Sequence, residues 1–363
     1  MPDYFAPAFW VEIDGTTLAA DISSNIQDVS VVSQSNTMDT FKFTMVNQYP
    51  DLRWTHTSDA DLFKQGSVVT IAMGYVDDLQ EMIEGEITQI SPSFPESGTP
   101  TITISGNSKM HWLHASKTTR TFKQMTDTQI VEQIAEEAGL GTQTDDSQVI
   151  YDYVMQANQT DLEFITARAA RIHFEVLVNG PTLIFRKANE AAGKIYTLVW
   201  GNTQAGLASG PNTLPLKSFS TTMNALQPPT SVQVRGYDSK NKTSFVGNAT
   251  TGSEDALMAG TQKASQVTSS AFKKPRQVVQ VSIPVASQAE ADDHAKALLN
   301  SLGMKFLTGN AVTIGVPELF AGNVVELLGL GRLFSGLYYI DSATHTLGKS
   351  GYQTELSVKR NAI

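Results

Sequence analysis

Between Phe9 and Ile104 apolar and polar residues alternate in short runs rich in Val, Ile, Thr and Phe, separated by turn residues, and this period of two predicts β-strands. The runs are Val29 to Val32, Phe41 to Val46, Ser67 to Met73, Ile83 to Ile90 and Thr101 to Ser105. Val76-Asp-Asp-Leu-Gln80 reads as a hairpin connection, and Asp59 to Gly66 as one helical turn. Short strands at this spacing predict a small barrel or sandwich. The period then changes. Thr126 with Gln129 has the spacing of a capping box ahead of Ile130, Ile134 and Ala138, which share a helical face that Gly139 ends. Thr160 with Glu163 repeats the device before Leu162, Ile165 and Ala169. Two strands follow, Phe174 to Val178 and Leu183 to Arg186, around an Asn179-Gly180 turn.

Strands return at Lys217 to Thr222, Ser231 to Tyr237 and Gln277 to Ile283. Between the last two, Asp238 to Lys274 is rich in Ser, Thr, Ala, Gly and Asn and is expected to form a mobile arm or lumen-facing loop. Ser287 with Glu290 marks a third capped helix, with Ala291, Ala295, Leu298, Leu299 and Leu302 on its core face and Gly303 closing it. The rest of the chain alternates as strands. The expected fold class is therefore β-rich α+β, with domains at 1–118 (first β-barrel), 119–215 (α+β) and 216–363 (second β-barrel, carrying the polar loop 238–274 and the helix 287–302).

At 363 residues the chain exceeds what one core serves, which supports several domains. Its 36 acidic and 26 basic residues give a formal charge of -10, opposing tight binding to nucleic acid, whose phosphates are held by clustered Lys and Arg. With no cysteine, disulfides, thiolate metal sites and a Cys nucleophile are excluded. The N-terminus has no basic and apolar leader pattern, and no run reaches the ~18 apolar residues of a membrane span, so a soluble chain made in the cytoplasm is expected, without membrane insertion.

Candidate chemistry is sparse. Ala343-Thr-His-Thr-Leu-Gly348-Lys349-Ser350 fits a relaxed phosphate-loop pattern, but such a loop must open a helix, whereas Tyr352, Thr354, Leu356 and Val358 alternate as a strand. Gly348 to Gly351 therefore reads as a hairpin turn. Gly329-Leu-Gly331-Arg-Leu-Phe334 lacks the third glycine of a dinucleotide fingerprint and also reads as a turn. His111 and His114 lack the further ligands a metal needs. Glu136-Glu137 and Asp145-Asp146 are carboxylate pairs of the kind glycoside hydrolysis uses, but adjacent helical residues diverge and such pairs usually mark solvated surface. Neither G-x-S-x-G nor H-E-x-x-H occurs. No catalytic residue, cofactor or metal is expected; a cell-wall hydrolase is the alternative of another class.

Arg332-Leu-Phe-Ser-Gly-Leu-Tyr-Tyr-Ile-Asp-Ser-Ala-Thr-His345 with Gly351-Tyr-Gln-Thr-Glu-Leu-Ser-Val-Lys-Arg-Asn361 resembles the closing hairpin of the phage late control protein D family. Asn158-Gln-Thr-Asp-Leu-Glu-Phe-Ile-Thr-Ala-Arg168 through His173-Phe-Glu-Val-Leu-Val178 resembles the capped helix and strand of that family and of the VgrG spike proteins of type VI secretion; the helix Asp127 to Ala138 is similar more weakly. The resemblance implies a contractile-tail hub in a virion baseplate, assembled in the host cytoplasm: a homotrimeric ring of six barrels that adapts a six-fold tail tube to a three-fold spike. It also implies tube, spike and baseplate wedge proteins as partners. VgrG-like chains continue into further domains, so a chain ending at Ile363 leads to the expectation of a separate spike polypeptide. An extracellular injection or type VI-like system is the alternative setting.

Overall fold

A computed structural model describes residues 6–47, 62–201, 212–238, 242–255, 258, 260–272, 274, 276–280, 285 and 287–363. The first part holds β1 (Pro7–Ile13), β2 (Thr16–Thr17), the short α1 (Ala20–Ser23), β3 (Ile26–Gln34), β4 (Thr40–Val46), β5 (Val68–Tyr75), β6 (Asp78–Ser93) and β7 (Thr101–Ser108). The expected alternation is present: in β7 every second residue is buried. Phe41, Phe43, Met45, Ile71, Met73, Ile102 and Ile104 form the core beneath this sheet. Residues 76 and 77 make the tight β5–β6 turn, with Tyr75 opposite Asp78. Of the helical turn expected at Asp59–Gly66, residues 59–61 lie outside the described residues; the remainder is turn and bend, with Phe63 in the core.

After a 3-10 segment (Lys109–His114) come β8 (Lys117–Phe122), α2 (Asp127–Glu137), β9 (Gly141–Thr144), β10 (Val154–Thr160), α3 (Asp161–Arg171), β11 (Phe174–Asn179) and β12 (Thr182–Lys187). Both capping boxes form reciprocally: Thr126 Oγ1 accepts the Gln129 N–H at 3.2 Å and Thr160 Oγ1 the Glu163 N–H at 3.1 Å, while the Gln129 and Glu163 side chains return to the cap backbones. Ile130, Ile134, Leu162, Ile165 and Ala169 pack with Phe174, Val176 and Phe185. The β11–β12 turn lies one residue later than expected, at Gly180-Pro181, because Asn179 pairs with Thr182. Proline has no N–H to give a ladder, and Gly180 supplies the left-handed φ of 55° that the turn needs.

The last part comprises β13 (Tyr196–Trp200), β14 (Thr213–Met223), β15 (Ser231–Asp238), β16 (Thr243–Thr250), α4 (Ala264–Ala271), β17 (Gln277–Gln280), α5 (Gln288–Gly303), β18 (Leu307–Ile314), β19 (Val324–Leu328), the single turn α6 (Gly331–Phe334), β20 (Gly336–Gly348) and β21 (Gly351–Arg360). Strands β19, β13, β14, β18, β21 and β20 close on themselves through the β19–β20 pairing, giving a six-stranded barrel. Leu198, Leu216, Ala311, Leu327, Tyr338, Ile340, Leu356 and Val358 fill it. β13 is a correction to the expected boundary at 215: it pairs in parallel with β14 and β19, and its Leu198 is barrel core. β20 also pairs with β3, from Ser342 opposite Gln34 to Leu347 opposite Val29, so barrel and first sheet form one thirteen-stranded sheet.

The polar loop expected at 238–274 is a second correction. Its described residues contain β16, paired along its length with β15, and α4, and Met258 and Ala264 are buried. The small residues that suggested a loop serve close packing: a Cβ on Gly247 would lie 2.0 Å from the Ala291 carbonyl oxygen, so glycine lets α5 rest directly on β16. Of the strand expected at Gln277–Ile283, residues 281–283 lie outside the described residues. In α5, Ser287 Oγ accepts the Glu290 N–H at 3.1 Å and Ala291, Ala295 and Leu299 are buried, while Leu298 and Leu302 are half-buried.

Candidate functional site at the junction of the three units

The residues singled out by sequence are dispersed. Ala343 to Gly348 lie in β20, Lys349 and Ser350 are an exposed turn, and β21 follows directly, so the segment is a hairpin and not the start of a helix. Gly329 and Leu330 form a turn ahead of α6. His111 Nε2 lies 3.2 Å from Glu86 Oε2, whereas His114 is exposed at the end of the 3-10 segment. Glu137 pairs with Arg120 and accepts from Gln133, and Glu136 is exposed. Asp145 accepts the Lys187 N–H at 3.0 Å, a tie to the end of β12, and Asp146 accepts the Gln148 N–H at 2.8 Å, which holds a local turn. Among the described residues no group of three or more His, Asp or Glu side chains has the arrangement of a metal site, and no helix is long and apolar enough to cross a membrane.

The dense polar chemistry lies elsewhere, where β11–β12, the barrel and the β3–β4 connection meet. Glu175 and Arg186 are direct cross-strand partners, and Arg186 Nε donates to Glu175 Oε1 at 2.8 Å. Tyr339, on barrel strand β20, donates its hydroxyl to the other Glu175 oxygen. Arg186 Nη2 reaches the Gly322 carbonyl at 3.1 Å. Glu175 is buried, which pushes its carboxyl above the usual range while Arg186 pulls the other way. Asn36 ties the first sheet to β11 through two bonds, its N–H to the Val176 carbonyl at 2.7 Å and the Val176 N–H to its Oδ1 at 3.0 Å. Its φ of 62° is one that asparagine tolerates better than most residues. Asp341 completes the ties, accepting from Ser35 Oγ at 3.1 Å and Lys359 Nζ at 2.7 Å.

A second buried ion pair staples the two helices of the α+β unit. Arg168 Nε donates to Asp127, which is fully buried in the first turn of α2, and Tyr151 donates to the other Asp127 oxygen at 3.1 Å. The guanidinium lies 4.4 Å from the centre of the Tyr151 ring. Removing one partner of such a pair leaves a buried charge uncompensated.

Between the three units lies a cavity of about 400 Å³, lined among others by Ser33, Asp39, Glu84, Leu177, Arg186 and Phe320. Asp39 is 7% exposed, its Oδ1 accepts the Gln34 N–H at 2.9 Å, and burial raises its carboxyl pKa to about 7. Sequence reading missed Asp39, Glu175 and the partner of Tyr339. The one available signal was the Glu175–Arg186 pairing across the β11–β12 hairpin, and it was hidden by the one-residue error in the turn.

In solved structures the same fold recurs. The 43 kDa tail protein of prophage MuSo2 from Shewanella oneidensis superposes with a TM-score of 0.72 over 98% of both chains at 16% identity. The tail protein from Neisseria meningitidis matches at 0.70 and 14% identity, over 98% of this chain and 97% of that one. The E. coli c3393 protein, described as a type VI secretion component with similarity to T4 bacteriophage tail proteins gp27 and gp5, matches at 0.61 and 11% identity, over 97% of this chain and 77% of that one. The chain thus has the fold of tail and VgrG-related proteins. No curated protein matches it in sequence. The family profile described as "Alg8 N-terminal domain" matches residues 6–349.

Proposed function

The chain belongs to the Alg8 N-terminal domain family, and from its fold we propose that it is a structural subunit of a phage tail, the central hub ring of the baseplate. The observation that carries this reading is the fold shared with a tail protein over 98% of both chains. The architecture supports it. One chain supplies a closed barrel and a further run of strands joined to it, so in this reading three chains in a ring present six β units, the symmetry needed between a six-fold tube and a three-fold spike. The polar ties at Glu175, Tyr339 and Asn36 hold the units at fixed relative positions, which a ring that must close requires. Tube, spike and baseplate wedge proteins are the partners in this reading, the virion baseplate is its location, and the chain acts without catalysis. The test is native mass measurement and imaging of the assembled particle: three copies in one ring are expected, and a single copy per particle overturns the proposal. The isolated chain can remain monomeric if partners drive assembly.

The fold match to a type VI secretion component favours a second setting, an injection apparatus. Neighbouring genes separate the two, since capsid and terminase genes accompany a phage whereas a toxin cargo and an ATPase accompany the other. Peptidoglycan clearing by the purified chain, abolished by changing one carboxylate, would instead establish a hydrolase.

A further inference from the structure

The cavity between the units has both apolar and polar walls. Its walls include the apolar side chains of Met82, Ile83, Leu177, Ile184 and Phe320, and its volume of about 400 Å³ is in the range of small-ligand sites. Ser33, Ser108 and Asp39 are its buried polar side chains, and of these Asp39 alone can carry a charge. One carboxylate oxygen accepts the Gln34 N–H, and among the described residues no group donates to the other. The cationic side chains nearby are already engaged: Arg186 by Glu175 and the Gly322 carbonyl, Lys109 by Glu84. Glu81, exposed at the rim, adds a further negative charge.

We propose that this cavity binds an organic monocation, an alkylammonium group whose hydrocarbon stem lies along the apolar wall while its N–H groups donate to the free oxygen of Asp39. A divalent metal fits less well, because calcium or magnesium takes six or more oxygen ligands at short range, whereas Glu84 is paired with Lys109, Glu81 lies exposed at the rim, and among the described residues no group of three or more His, Asp or Glu side chains has the arrangement of a metal site. An anion would meet Asp39 and Glu81. An alkylammonium satisfies both halves of the site, pairing a compact charge with a carboxylate and a stem with apolar surface. The same chemistry ends a lysine side chain and a free diamine, so the cavity suits either a basic residue inserted by a neighbouring protein or a small polyamine. This inference is independent of the tail-hub reading.

The test is calorimetric titration of the full chain with butylammonium at pH 6.5, in two buffers of different ionisation enthalpy. Protonated Asp39 must ionise to pair with the cation, with Glu81, Glu84, Glu175, Lys109 and Arg186 as the other charges around it, so saturable binding with proton release is expected. Asp39→Asn keeps an acceptor for the Gln34 N–H and is expected to weaken binding roughly tenfold or more and to abolish the proton release. Glu81→Gln, an exposed change that leaves the fold intact, is expected to weaken binding less and keep the release. Putrescine and N-acetyl-lysine methylamide distinguish the sources: binding of the diamine alone assigns a free polyamine, and binding of the capped lysine assigns a protein side chain. Absence of saturable binding by butylammonium, or equal binding by the Asp39→Asn protein, overturns the proposal.

Discussion

The Tyr352 hydroxyl lies 3.0 Å from His345 Nδ1, inside the closing hairpin, while His345 Nε2 lies 3.0 Å from the Leu319 carbonyl oxygen. A carbonyl only accepts, so Nε2 carries the proton and Nδ1 is the acceptor facing two hydroxyls, Tyr352 and, at 3.2 Å, Thr354. His345 is fully buried, and burial lowers its pKa to about 4 from 6.5. The unfolded chain therefore binds more protons than the folded one between about pH 4 and 6.5. Stability from this group is complete above 6.5 and falls as pH drops, by about 1.4 kcal/mol per unit. Replacing His345 by Gln should remove this acid-side slope, as read from urea unfolding between pH 4 and 7.

Asp39 has the opposite sign. Its folded pKa is raised from 3.8 to about 7, so its contribution is present below 3.8 and lost as pH rises through 7. Asp39→Asn should therefore stabilise the protein at pH 8 by roughly 2 to 4 kcal/mol and have little effect at pH 4. The two slopes oppose one another between pH 4 and 6.5. In the Asp39→Asn protein the His345 slope should stand out, and unfolding curves at half-unit steps would read it directly.

The hairpin turn and the hairpin core should respond very differently to truncation. Lys349 is exposed, and Lys349→Ala should change stability by no more than about 0.5 kcal/mol. Leu356 is fully buried in the barrel, and Leu356→Ala should cost about 2 to 5 kcal/mol. Micromolar ATP binding lost on Lys349→Ala would contradict the hairpin assignment.

Gly247→Ala tests the reassignment of 238–274. The new methyl would meet the Ala291 backbone at 2.0 Å, so α5 must shift, at a cost of about 1 to 3 kcal/mol. Thermal unfolding of the variant measures it. A neutral result would return this region to the status of a loosely packed arm.

Local signals survived translation into structure wherever neighbours in sequence carried them. Both reciprocal capping boxes need only residues three apart, and the alternation in β7 and β21 needs only a strand with one face in a core; all were legible from the chain. The sequence alone also set the β-rich class, the α+β segment and the Gly348–Gly351 hairpin. Tertiary structure decided what depends on distant residues. Gly247 looked like loop composition because its partner, the backbone at Ala291, lies 44 residues on. β13 joined the barrel because β19, far down the chain, accepts it in parallel. Asp39, Glu175 and the partner of Tyr339 were invisible for the same reason: a single carboxylate in a strand has no periodicity of its own, and its burial and partners exist only once the three units have packed.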